Sequence, residues 1–195
     1  MRSGVVCVGG HDLDDEFRSL RLLTSDGQNL KEEYDIEPPE VWELKYATRA
    51  DLEPPHVEDV LIQGKAKFVE KVSTDIVREL VLEYDPPWNG DPEEIFDRTA
   101  DATGSGRIYI PGDSRLPSRS TGYWLPDAGL DLHGTTDKPM FRFEGDTALK
   151  EFTWAGMHAP PERIEAGTLV RVSLARYWEP SAAPAGYYAQ ISDVF

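Results

Sequence analysis

Short stretches in which apolar and polar residues alternate, cut every few positions by Gly, Pro or Asp, run through most of this 195-residue chain. A half-buried β-strand requires that period of two, because successive side chains leave opposite faces of the pleat. Residues 5–8 form a β-branched run before Gly9-Gly10, read as a buried strand closed by a turn that carries His11. Residues 17–23, 41–46 and 60–62 follow as strands. Six more are expected at 107–110, 123–125, 140–143, 150–154, 169–175 and 187–194, with Phe143-Glu144-Gly145-Asp146 as a hairpin turn between the third and fourth of these. The period changes at 74–84, where Ile76, Val77, Leu80, Val81 and Tyr84 make one face of an amphipathic helix. Ser73 or Thr74 supplies its cap, and Asp85-Pro86-Pro87 ends it, since a residue before proline avoids the α region. Asp91-Pro92-Glu93-Glu94 reads as the start of a second, short helix running through Phe96. Many short strands at such spacing favour small barrels over a parallel α/β sheet. The expected fold is mainly β: one small barrel over 1–72, a helical connector over 73–104, and a second barrel over 105–195.

Composition removes whole classes of function. Hydrophobic residues make up 39% and aromatics 10%, enough to bury a core. No apolar run reaches the ~18 residues that span a bilayer, so no membrane partner is expected. The opening MRSGVVCVGG is read as too short for a secretory leader. The single Cys7 fits a reducing, cytoplasmic location and is expected to be a small hydrophobe inside its strand. Acids outnumber bases by 36 to 20, and unevenly. Residues 1–100 carry 24 acids and 11 bases; residues 101–195 carry 12 and 9. Phosphate contacts need clustered Lys and Arg, so the charge argues against nucleic acid at the acidic half and leaves the near-neutral one open.

Two groups of residues stand out. In Pro54-Pro55-His56-Val57-Glu58-Asp59, a His with two carboxylates suits proton transfer or a divalent cation, with His11 or Asp12 as a further ligand. The competing reading is a set of structural hydrogen bonds pinning a loop. Arg18 and Arg21, three apart on a strand, face opposite ways, so one reaches a ligand groove while the other pairs with Asp14, Asp15 or Glu16. In the second half, Arg107, Arg115, Arg119 and Arg176 are the candidate phosphate contacts. The loop 112–122 joins Arg115 and Arg119 to hydroxyls and glycines, with Tyr123 and Trp124 behind it as a stacking platform. Other aromatics, such as Phe152 and Trp154, are expected in the core; Trp178, beside a small-residue loop, is expected to be exposed. No phosphate-binding Gly-x-x-x-x-Gly-Lys loop, nucleophile elbow, Cys-x-x-Cys or dinucleotide motif occurs, so no catalytic residue, metal or cofactor is assigned.

Three stretches carry a resemblance: VVCVGGHDLDDEFRSLRLL at 5–23, PPHVEDV at 54–60, and the terminal pair LVRVSLARYWEP at 169–180 and GYYAQISDVF at 186–195. They resemble a bacterial family of tandem, or dual, OB-containing domains. The resemblance implies two OB-like barrels acting as a non-enzymatic binding or adaptor subunit beside other proteins, including those of bacterial defence systems. OB barrels bind single strands on exposed aromatics within a basic groove. The second barrel is therefore expected to contact single-stranded DNA or RNA, and the acidic first one to dock protein. Two alternatives remain: a metal-dependent hydrolase centred on His56, Glu58 and Asp59, and an acidic nucleic-acid mimic that blocks a basic partner.

Overall fold

The computed structural model describes residues 5–31 and 36–195. Residues 1–4, part of the stretch read as too short for a leader, lie outside the described residues. The chain forms two compact units, Met1–Asp85 and Pro86–Phe195. The division therefore falls inside the segment 73–104, with the α-helix on its first side and the short helical turns on its second. No helix among the described residues is long and apolar enough to cross a membrane.

The first unit contains β1 (Val5–Val6), β2 (Val8–Asp12), β3 (Arg18–Leu23), β4 (Leu30–Lys31), β5 (Glu40–Thr48), β6 (Asp59–Lys71) and α1 (Thr74–Tyr84). β1 pairs with β4, and the other four strands make a sheet in the order β2-β3-β6-β5, parallel only between β3 and β6. The opening run is two strands rather than one. The backbone leaves the β1–β4 ladder and joins β3 across Cys7, which is exposed, correcting its expected burial. Gly9 and Gly10 lie within β2, opposite Arg21 and Leu20, and the turn comes later, with Glu16 and Phe17 left-handed at φ 48° and 57°. His11 is accordingly a strand residue paired with Ser19.

Val8, Leu20, Leu22, Leu30, Ile36, Val60 and Ile62 form the core of this unit, with Trp42, Leu44 and Tyr46 packed on it. β6 runs far beyond the expected 60–62. Gly64, at φ +81°, sits where the register with β5 shifts, a bulge that lets the ribbon bend and continue to Lys71. α1 has the expected bounds: Ser73 Oγ accepts from the Ile76 amide at 3.3 Å, and Asp85 caps the other end through Val81 O.

The second unit adds β7 (Trp88–Gly90), β8 (Asp101–Ala102), β9 (Ile108–Pro111), β10 (Thr121–Pro126), β11 (Leu130–Thr135), β12 (Lys138–Phe143), β13 (Glu151–Trp154), β14 (Arg163–Ile164), β15 (Val170–Leu174) and β16 (Gly186–Val194). They form one curled sheet in the order β14-β11-β12-β13-β16-β15-β10-β7, with β8 and β9 joining at β16. β16 changes partners along its length, from antiparallel β9 to a place between antiparallel β15 and parallel β13.

Inward side chains from every second position, among them Ile108, Ile110, Phe141, Phe143, Phe152, Val170, Val172 and Ile191, fill its core. Each fully buried large apolar group stabilises by roughly 1.5–3 kcal/mol, so this larger core makes the second unit the more robust one. The second expected helix is a 3-10 turn, Pro92–Glu94, with the Asp91 side chain accepting from the Glu93 amide at 2.7 Å. It ends at Ile95, which is extended at φ −75° and ψ 158°, and Phe96, Asp97 and Arg98 follow left-handed, at φ 52°, 57° and 59°.

Candidate functional site

The polar group expected around His56 is internal to the first unit. His56, Glu58 and Asp59 are all buried, as is Arg21. Parallel pairing of β3 with β6 sets Arg21 directly opposite Asp59. Arg21 Nε then donates to Asp59 Oδ1 at 2.5 Å, while Arg49 Nη1 lies 3.6 Å from Oδ2. The Arg21 amide donates to Glu58 O at 2.8 Å, and the His56 amide to Glu53 O at 2.9 Å, closing the Pro54-Pro55 turn. With guanidinium groups on both Asp59 oxygens, a cation there would meet positive charge, and among the described residues no group of His, Cys, Asp and Glu is arranged to hold a metal. Asp59 is thus committed to the two arginines.

His11 and Arg18 belong to a different group. His11 Nε2 is 3.3 Å from Asp85 Oδ2, with the Phe17 ring stacked on the imidazole at 4.1 Å. Arg18 Nη2 donates to Tyr46 Oη at 2.9 Å, and its Nε pairs with Asp15 at 3.4 Å. The Tyr46 hydroxyl in turn donates to Asp12, whose carboxyl this bond holds below the usual range.

In the second unit the expected residues separate. Trp124 is fully buried between Phe143 and Phe152, its indole N–H donating to Gly90 O at 2.9 Å. It offers no stacking face, which corrects the expectation for it: an inward position on β10 commits the ring to the core. Arg119 lies over the Trp88 ring at 4.5 Å. The Ser118 amide donates to Asp97 Oδ2 at 2.6 Å. Burial pushes the Asp97 carboxyl up, but the Ser118 donors, with Arg119 and Arg115 nearby, outweigh it and hold it below the usual range. Asp97 thus anchors the loop that carries both arginines, while Arg115 itself is exposed.

Arg107 and Trp178 meet on the outward face, at the Tyr188 ring. Trp178 and Tyr177 are about half exposed, and Arg176 before them is exposed. Trp178 exchanges backbone hydrogen bonds with Gly186, which extends the sheet past β15 and turns its indole edge-on to Tyr188 at 5.5 Å. Tyr177 takes the opposite side, against Tyr187 at 5.3 Å and over Gly112, where a Cβ would come within 2.4 Å of the ring. Tyr109 stacks on Tyr188 at 5.6 Å, and the Arg107 guanidinium lies over the same ring at 4.6 Å.

From Arg107 the contacts run across three further strands. Its Nη2 reaches Thr153 Oγ1 on β13 at 3.4 Å. Next to Thr153 on that face is Glu151, only 4% exposed, whose Oε1 accepts from Arg142 Nε on β12 at 2.6 Å and whose Oε2 meets His133 Nε2 on β11 at 2.5 Å. Aromatic rings, hydroxyls and guanidinium groups thus form one strip over β9, β16, β13, β12 and β11. The strip is not uniformly basic. Burial first, and the charge of Asp101 second, raise the Tyr109 phenol, which therefore stays neutral at neutral pH. Such a strip can stack planar groups and pair with a limited number of anionic oxygens.

His133, Arg142 and Glu151 were missed by sequence reasoning. The Leu130-Asp131-Leu132-His133 alternation was the available signal, weakened by Gly134 and a polar turn after it.

The model of the dual OB-containing domain family matches residues 1–194. No curated protein and no solved structure matches the chain. The family match spans both units, and antiparallel pairing predominates in the sheets of each. The chain belongs to the dual OB-containing domain family.

Proposed function

We propose that the chain is a non-catalytic binding subunit of a multi-protein system, contacting single-stranded nucleic acid through its second unit and protein through its acidic first unit. The observation that supports the first part is the continuity of the strip from Trp178 through Tyr188 and Arg107 to Arg142. Base stacking needs an exposed ring, which Trp178 supplies, and backbone tracking needs cations at intervals beside it, which Arg107, Arg142 and Arg176 supply. Arg119 is assigned to holding its loop rather than to ligand.

The test is fluorescence anisotropy of a labelled oligothymidylate with the full chain at rising salt. Affinity is expected to fall steeply between about 50 and 200 mM salt, as counterion release requires. Trp178→Ala is expected to weaken binding by about 1–3 kcal/mol, and Arg142→Ala to reduce the salt slope by about one. Affinity indifferent to salt and to both substitutions would remove nucleic acid from the proposal. Competition with nucleic acid for a basic protein, without strand binding, would favour the mimic instead.

A further inference from the structure

Helix α1 leaves part of its apolar surface open. Side chains three and four apart share a helical face, so its apolar residues other than the exposed Leu82 form two adjacent rows, Val77–Val81 and Ile76–Leu80–Tyr84. The first is covered: Val81 is fully buried and Val77 half-buried. The second is covered only in part, for Ile76 is 46% and Tyr84 55% exposed, with Leu80 half-buried between them and the Tyr84 ring tilted against Phe17 at 5.9 Å. On the outer flank of this open row run Asp75, Glu79 and Glu83, all exposed and at the same four-residue spacing. A single exposed apolar side chain is unremarkable, but a row of them continuous with a buried face and edged on one side by acids is a docking ridge.

We infer that this ridge docks a basic amphipathic segment of a partner protein, whose own apolar row packs on Ile76, Leu80 and Tyr84 and whose Lys or Arg side chains meet Asp75, Glu79 and Glu83. The inference rests on the reading of the acidic unit as a protein-docking surface and gives that surface an address. Charge selects the occupant. An acidic flank repels the phosphates of nucleic acid, and an interfacial membrane helix carries Lys and Arg where this one carries acids. A partner helix with cations one turn apart satisfies both rows at once.

The test titrates the full chain into a fluorescein-labelled synthetic helical peptide with leucines at four-residue spacing and lysines along the adjoining row. A control peptide has glutamates in place of the lysines. Saturable binding of the lysine peptide alone is expected. Ile76→Ala/Tyr84→Ala and Glu79→Lys/Glu83→Lys are each expected to weaken it about tenfold or more, with Trp178→Ala leaving it unchanged. Hydrogen exchange on the wild-type complex provides a readout independent of the variants, and protection is expected along Thr74–Tyr84. Protection elsewhere in Met1–Asp85 would overturn the ridge while leaving the acidic unit as a docking surface. Failure to bind, or protection confined to Pro86–Phe195, would overturn both.

Discussion

Asp59 illustrates how the same residue types serve different ends depending on what faces them. A carboxylate held by Arg21 and approached by Arg49 inside a small core is a structural ion pair, and removing one partner strands a buried charge. Arg21→Ala is therefore expected to destabilise the first unit by about 3–5 kcal/mol in urea unfolding, while Arg18→Ala, at an exposed pair, changes stability by less than about 1 kcal/mol. Asp193 gives the opposite sign. Burial raises its carboxyl above the ordinary range despite the Val194 amide and the nearby His158 and Arg171 charges. A raised carboxyl contributes stability that is fully present below the unfolded value of about 4 and lost as pH rises through the folded value. Asp193→Asn is expected to raise the melting midpoint at neutral pH, and that gain is expected to vanish in acid. The residue types at both positions were legible in the sequence; their surroundings were not, because burial and charge partners come from other strands.

At the scale of elements, local signals carried as far as local physics reaches. The Ser73 cap, the 3.6-residue period and the Pro86-Pro87 stop delimit α1 without help from the rest of the chain. Asp91 and Pro92 likewise start a helical turn, but the extended Ile95 ends it, and a left-handed run at Phe96–Arg98 follows with the Phe96 ring fully buried. Asp97, at φ 57°, both tolerates the turn and holds the Ser118 loop. Asp97→Asn keeps the left-handed preference and loses only the charge, whereas Asp97→Ala loses both. Urea unfolding is expected to rank wild type above Asn and Asn above Ala, the last by about 1.5–3 kcal/mol. Since Asp97 is held below the usual carboxyl range, this anchoring is present above about pH 4 and lost as pH falls through the folded value. The full length of β6 and the existence of β11 were not legible in advance. The first continues through a glycine bulge, and the second pairs with a neighbour across a polar turn.

For the whole molecule, two cores imply two stabilities. Native-state hydrogen exchange is expected to release the amides of β2 and β3 before those of β10, β15 and β16, following the difference in buried apolar groups. The division at Asp85 also redraws the charge. Residues 1–85 carry 20 acids and 10 bases, and residues 86–195 carry 16 and 10. Asp91, Glu93, Glu94 and Asp97, counted with the acidic half when the chain is cut at residue 100, belong to the second unit. There Glu94 pairs with Arg98 at 2.7 Å and Asp97 anchors a loop, so part of that acidity is structural.

The strand-rich pattern, the bounds of α1 and an excess of acid in the first unit were determined by the sequence alone, since periodicity, capping and composition act between near neighbours or need no geometry at all. Tertiary structure alone decided that Trp124 turns inward and Trp178 outward, and that Asp59 faces two arginines. It also brought His133, Arg142 and Glu151, from three different strands, onto one face. Each of these depends on strand register, and a shift of one residue exchanges the two faces of a sheet. Register is set by pairing between segments far apart in the chain, which local periodicity does not encode.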